Sequence, residues 1–193
     1  MSPSTCPKCG ARLGPSRVHG EGPWNRSWRA GLTDTQQWVP RSGLEADVVT
    51  PDGIVVELQY GSLAKVHIEQ RERIYGDMVW LFDARQAHKS GRLQFRFTTP
   101  GQPHINFKWC SPRSLDACHR PVYLDLGDSD QAESRHLVLK INRRYPARGQ
   151  LLGSGLLHTA TAFHNWMAHG IPLTPYIPPA HPARTDDDAD AAA

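Results

Sequence analysis

Residues 45–60 read EADVVTPDGIVVELQY, two short apolar runs around one turn, carrying Glu45, Asp47, Glu57 and Gln59 where a strand ordinarily holds Val or Thr. The turn Thr50-Pro51-Asp52-Gly53 suits a type I turn followed by Gly in the left-handed region, which makes Gly53 a bulge residue. Pairing then runs Thr50 with Ile54, Val49 with Val55, Val48 with Val56, Asp47 with Glu57 and Glu45 with Gln59, so three acids and an amide gather on one face. Like charges opposed at roughly 5 Å repel unless a cation lies between them, and a divalent ion is the natural candidate. Two carboxylates, with water in the other positions, commonly hold Mg²⁺ beside phosphate, and such an ion activates water for phosphodiester hydrolysis. A plain two-residue hairpin would send the carboxylates apart, so the bulge carries this reading. The alternative is a pair of solvated carboxylates on the outer face of an amphipathic hairpin.

The elements around this hairpin follow from pattern. Trp24 and Trp28 stand four apart in WNRSWRAG, one face of a short helix that stops at Gly31 and turns two indoles to the core. The segment LAKVHIEQRERIY, without Gly or Pro, reads as a helix capped by Ser62 and ended by Gly76. MVWLFDA has the apolar, β-rich character of a buried strand. LQFRFTT, HINFKW, PVYLDLG and HLVLKIN are further short strands between turn-forming clusters. SGLLHTATAFHNWMAHG reads as a closing helix capped by Ser154 and Gly170, with His158 and His164 as ordinary surface or core histidines on it. The expected layout is a flexible arm or Cys-containing knuckle at 1–20, one α/β domain at 21–170 and a disordered Pro-rich acidic tail at 171–193.

A chain of 193 residues with 22 basic and 19 acidic side chains, net charge +3, permits phosphate binding without announcing it. No run of about 18 apolar residues occurs, and the expectation is a soluble cytoplasmic protein whose four cysteines are thiols or metal ligands. Cys6 and Cys9 have the spacing of half a zinc site. The other half would come from His19, or from Cys110 and Cys118, which equally fit inert buried thiols.

Residues 21–83, above all the hairpin EADVVTPDGIVVELQY, the helix with Arg71, Glu72 and Tyr75, and the strand MVWLFDA, resemble the CoiA-like competence protein nuclease domain of the PD-(D/E)xK superfamily; a weaker similarity continues through FKWCSPRSLDACHRPVYLDLGD. The resemblance implies a three-layer core with a mixed central sheet flanked by helices, and a Mg²⁺- or Mn²⁺-dependent nuclease that hydrolyses DNA phosphodiesters in DNA uptake, recombination, phage or defence processes. It assigns Asp47 as the signature acid, Glu57 as the second metal ligand and Gln59 as the residue in the lysine position, orienting water or phosphate. Arg71, Glu72 and Tyr75 match the supporting helix, and Glu45 shares the acidic face as an outlying acid. Upstream, Glu21, Asn25 and Arg29 stand where the family often has Glu, His and Lys; Asn25 cannot shuttle a proton, and Arg29 keeps charge without a neutral-base role.

DNA phosphates would be met by Arg29, Arg71, Arg143 and Arg144, with Arg17, Arg26, Arg92, Arg96, Lys108, Arg113 and Arg148 as further candidates. Two other readings stay open. One is a non-catalytic DNA-binding module on a nuclease-like fold, the other a zinc-stabilised interaction protein resting on Cys6 and Cys9.

Overall fold

The structure, a computed structural model, describes residues 22–99, 101–110, 114–132, 135–147 and 149–179. Helix α1 (Pro23–Arg29) leads into strand β1 (Gln37–Arg41), followed by β2 (Leu44–Val49), β3 (Val55–Gln59), helix α2 (Lys65–Tyr75) and β4 (Met78–Asp83). Helix α3 (Arg85–Lys89), strands β5 (Leu93–Phe97), β6 (His104–Cys110), β7 (Val122–Ser129), β8 (Arg135–Ala147), β9 (Gln150–Thr159) and helix α4 (Ala160–His169) complete the order. All nine strands of these described residues join one mixed sheet, β1-β2-β3-β4-β7-β8-β9-β6-β5, in which β3, β4 and β7 run parallel.

Alternation along the central strands sends apolar side chains to both faces. On β4, Trp80 and Phe82 enter one core with Ile68 of α2, while Val79 and Leu81 enter the other with Trp24 and Trp28 of α1 and Phe163 and Met167 of α4. A strand buried on both sides reads as a continuous apolar run, and the parallel β3–β4 pair requires the crossover that α2 supplies. The mixed α/β class is therefore as expected, with helices on both faces of the sheet. No helix among the described residues is long and apolar enough to cross a membrane.

The β2–β3 turn forms as its residues dictate. Gly53 N–H donates to the Thr50 carbonyl at 2.9 Å, Thr50 N–H donates to the Ile54 carbonyl at 2.9 Å, and Gly53 has φ +83°. The register matches expectation at Val49↔Val55 and Val48↔Val56. Beyond Val48 the expected pairs of Asp47 with Glu57 and of Glu45 with Gln59 do not form. The Asp47 carboxylate itself takes the Leu58 N–H at 2.9 Å, in place of a backbone carbonyl, and Glu45 pairs with Pro40 of β1.

Three further expectations are corrected, and two elements were not foreseen. The closing helix begins only at Ala160, capped by the Thr159 hydroxyl, because residues 150–159 are β9 between β8 and β6. There the glycines are steric requirements: a Cβ on Gly155 would lie 2.1 Å from the Lys140 carbonyl oxygen, and one on Gly153 2.3 Å from that of Arg143. His158 consequently sits on a strand. Helix α2 starts after Ala64 with no side-chain cap, so Ser62 does not cap it. Strand β1 and helix α3 were not expected at all. Finally, part of the tail is packed: Tyr176 is buried, its N–H donates to the Leu157 carbonyl at 2.7 Å, and His158 Nδ1 lies 2.9 Å from the Thr174 carbonyl. One aromatic side chain with a strand edge to bond suffices to order residues that composition marks as disordered. The remaining tail, residues 180–193, and the expected arm at 1–20 lie outside the described residues.

Candidate active site

Four elements converge on the two carboxylates. Strand β2 brings Asp47, β3 brings Glu57, α2 brings Arg71 and Tyr75, and α1 brings Arg29 and Asn25. Arg71 Nε donates to Glu57 Oε2 at 2.9 Å, and Arg29 Nη1 stands 3.6 Å from Asp47 Oδ1. The Asn25 amide donates to the Leu58 carbonyl at 3.3 Å, fixing α1 against β3, and the Tyr75 hydroxyl donates to the Glu45 carbonyl at 3.1 Å, fixing α2 against β2.

Asp47 also sits at an unpaired position of its strand, within an otherwise constant β1–β2 register. The β1–β2 pairing steps from Gln37↔Val48 to Val39↔Ala46, leaving Asp47 and Trp38 between the two pairs. Ala46 and Val49 belong to one core and Val48 to the other, so strict alternation slips there. Trp38 has φ +54°, rare for a bulky residue, and its ring lies 3.8 Å from the Arg29 guanidinium carbon. Strain of this kind collects where a side chain must be held in place. Trp38 stacks the arginine that faces Asp47, and nothing in the sequence pattern singled it out.

The electrostatics are those of acids held too close and too dry. Burial is the largest influence on both: it pushes Asp47 up to about 6 against the Leu58 N–H and the two arginines, and, reinforced by the Asp47 charge, pushes Glu57 up to about 8 against Arg71. Burial and the neighbouring Glu57 likewise raise the Tyr75 hydroxyl. Glu57 Oε1 and Glu45 Oε2 are buried with no hydrogen-bond donor within 3.5 Å, the Tyr75 hydroxyl being close enough only to ease the Glu57 charge weakly. A carboxylate oxygen in that state forfeits hydration without compensation, which a cation in the site would restore. Two carboxylates with an orphaned oxygen fit a hard divalent ion that takes its other ligands from water and phosphate. Among the described residues there is no group of three or more His, Cys, Asp or Glu that could hold a metal ion.

Other expected residues are placed differently. Glu72, next to Arg71, turns away from the acids: its carboxylate accepts from Trp80 Nε1 at 2.9 Å and from the backbone N–H groups of His119 and Arg120, so it ties α2 to the approach to β7. The Gln59 amide nitrogen donates to the Gly61 carbonyl at 2.8 Å. Arg144 is committed to the Cys118 carbonyl, whereas Arg143 is exposed. Cys118 is buried, and burial pushes its thiol up to about 12, an inert state; Cys110 is a half-buried free thiol. Cys6, Cys9, His19, Glu21, Arg17, Arg113 and Arg148 lie outside the described residues.

A second polar cluster, unforeseen in the sequence, anchors α1. The fully buried Asp125 of β7 accepts from Trp24 Nε1 at 2.6 Å and Trp28 Nε1 at 2.9 Å through Oδ2, and from His136 Nε2 at 2.7 Å and Gly127 N–H at 2.8 Å through Oδ1. The indoles expected to be merely apolar thus also fix the helix that carries Asn25 and Arg29. No family model matches the chain, and neither a curated protein nor a solved structure matches it.

Proposed function

We propose that the chain is a metal-dependent nuclease of the PD-(D/E)xK type, acting on DNA with Mg²⁺ or Mn²⁺. The observation that carries this reading is the buried pair Asp47 and Glu57, both raised and with no close hydrogen-bond donor on Glu57 Oε1. The order hairpin, α2, parallel strand, with an acid on each hairpin arm and Arg71 on the helix, supports it further.

In this reading Asp47 and Glu57 hold the ion, which when bound polarises a phosphoryl oxygen and acidifies a water. Arg71, partly exposed beside Glu57, meets a phosphate oxygen and balances charge developing in the transition state. Gln59, its amide nitrogen held by Gly61, presents its oxygen to water. Arg29, stacked on Trp38, keeps Asp47 oriented, and Asn25 serves as a tether rather than a proton shuttle.

One observation favours a second reading. Arg29 and Arg71 already place positive charge beside both acids, as a non-catalytic DNA-binding module would need. Cleavage separates the two. The nuclease reading expects cutting of DNA with Mn²⁺ or Mg²⁺, none in chelator, and a loss of about a hundredfold or more in Asp47→Ala and Glu57→Ala. Salt-sensitive DNA binding without any cutting by the wild type would overturn it in favour of the binding module.

A further inference from the structure

The half of the sheet away from the carboxylates carries a face that the reading above leaves unused. Strands β8, β9, β6 and β5 are neighbours in that order, and their inward side chains, among them Phe95, Phe107 and Leu151, fill the core. Their outward side chains line up in register. One row runs Lys108↔Leu152↔Tyr145, and the next runs Arg96↔Asn106↔Ser154↔Arg143. Together they line a groove of about 600 Å³ that contains no acidic residue.

Its composition is specific. Arg96, Lys108 and Arg143 are exposed and form no ion pair among the described residues. Tyr145 is 55% exposed and Leu152 39%, two large side chains held in water on the middle strands instead of being folded inward. Asn106 and Ser154 stand between the cations with hydrogen-bonding groups toward the groove. Beyond Arg143 a second hollow of about 620 Å³, again without an acid, continues the positive surface past Arg144 and Lys140 to Arg120.

We propose that this face binds a single-stranded nucleic acid. Cations on successive strands follow the phosphates, while an exposed aromatic ring and a neighbouring apolar side chain receive unstacked bases, which a duplex does not offer. Charge alone would serve duplex and single strand equally; Tyr145 and Leu152 make the distinction. The proposal deepens the nuclease reading by naming the form of the substrate, and rests on it only for the statement that the bound strand is the one cut.

The test is fluorescence anisotropy with the full chain in chelator, using a labelled single-stranded DNA of about twenty nucleotides and the duplex of the same sequence, enough to span several stacking positions. The single strand is expected to bind more tightly than the duplex. Tyr145→Ala should weaken it about tenfold or more, Tyr145→Trp should restore it, and the combined variant Arg96→Ala, Lys108→Ala, Arg143→Ala should reduce the logarithmic salt dependence by about 2. All these side chains are exposed, and unchanged thermal melting verifies that the variants fold. Equal affinity for duplex with Tyr145→Ala silent, or single-strand binding untouched by the triple substitution, overturns the proposal. Cleavage is read separately with Asp47→Ala. A wild type that binds as expected but never cuts contradicts the nuclease reading and leaves this face standing, whereas cutting that persists at full affinity in the platform variants contradicts the face alone.

Discussion

At Glu57 two requirements pull against each other. Its carboxylate is buried beside Asp47 and takes Arg71 at 2.9 Å, yet burial and the Asp47 charge raise its pKa above that of a free side chain. Acids whose folded pKa lies above the unfolded value contribute stability that is fully present below the unfolded carboxylate range and is lost as pH rises through the folded values. In chelator, thermal stability is therefore expected to fall as pH is raised through about 6 and about 8, and a pH series of melting curves checks this. Glu57→Gln should blunt the upper part of that fall and melt at or above the wild type at pH 8, because it removes the charge that is hardest to bury. Arg71→Ala should do the reverse, melting lower and steepening the pH dependence. The hairpin pattern made Asp47 and Glu57 legible, although the direct pairing it implied does not form, whereas Arg29 and Arg71 were legible only through the family resemblance and as phosphate-binding candidates. The sequence could not reveal that Glu72 points the other way, since adjacent helical residues diverge by about 100° and only tertiary partners, here Trp80 and the His119 N–H, say which one faces the acids.

Helix α1 has only seven residues, too few to be stable alone, and no side-chain cap. Its placement depends on Asp125, so Asp125→Ala should destabilise the fold by about 3 kcal/mol or more, leaving two buried indole N–H groups unpaired, as chemical denaturation would read. Asp125 is held below the ordinary carboxylate range despite its burial, by the His136 hydrogen bond and charge and by the Trp24 indole, and the same hydrogen bond holds His136 above the ordinary imidazole range. The pair thus stabilises most between those two ranges. Its contribution disappears as pH falls through the lowered acid and as pH rises through the raised imidazole, and His136→Ala should flatten the upper limb. Element by element, α2 and β4 were readable because one lacks breakers and the other is continuously apolar. Strand β9 was not: Leu151 and Leu157 flank two glycines, and a pattern stripped of side chains gives no period, so the helical signal of α4 was extended backwards across it. Gly155→Ala should cost about 3 kcal/mol or more, since the new Cβ meets the Lys140 backbone instead of a side chain that can swing aside.

Across the whole molecule, one sheet carries two differently built regions. The β2–β3 end, gripped by α1 and α2, holds buried acids, and the β8-β9-β6-β5 end presents exposed cations and Tyr145. Composition hinted at neither, because a net charge of +3 averages over both. The α/β class was legible from strand and helix patterns, but the nine-strand order was not, since β4 pairs with β7 and β6 with β9 through contacts far apart in sequence. The central claim is that Asp47 and Glu57 form a divalent-metal centre. Calorimetric titration of Mn²⁺ into the full chain at pH 8, with Asp47→Asn and Glu57→Gln alongside, tests it most directly. The account predicts Mn²⁺ binding in the wild type that both substitutions abolish while each variant remains folded; no binding in the wild type, or binding that survives both substitutions, would contradict it.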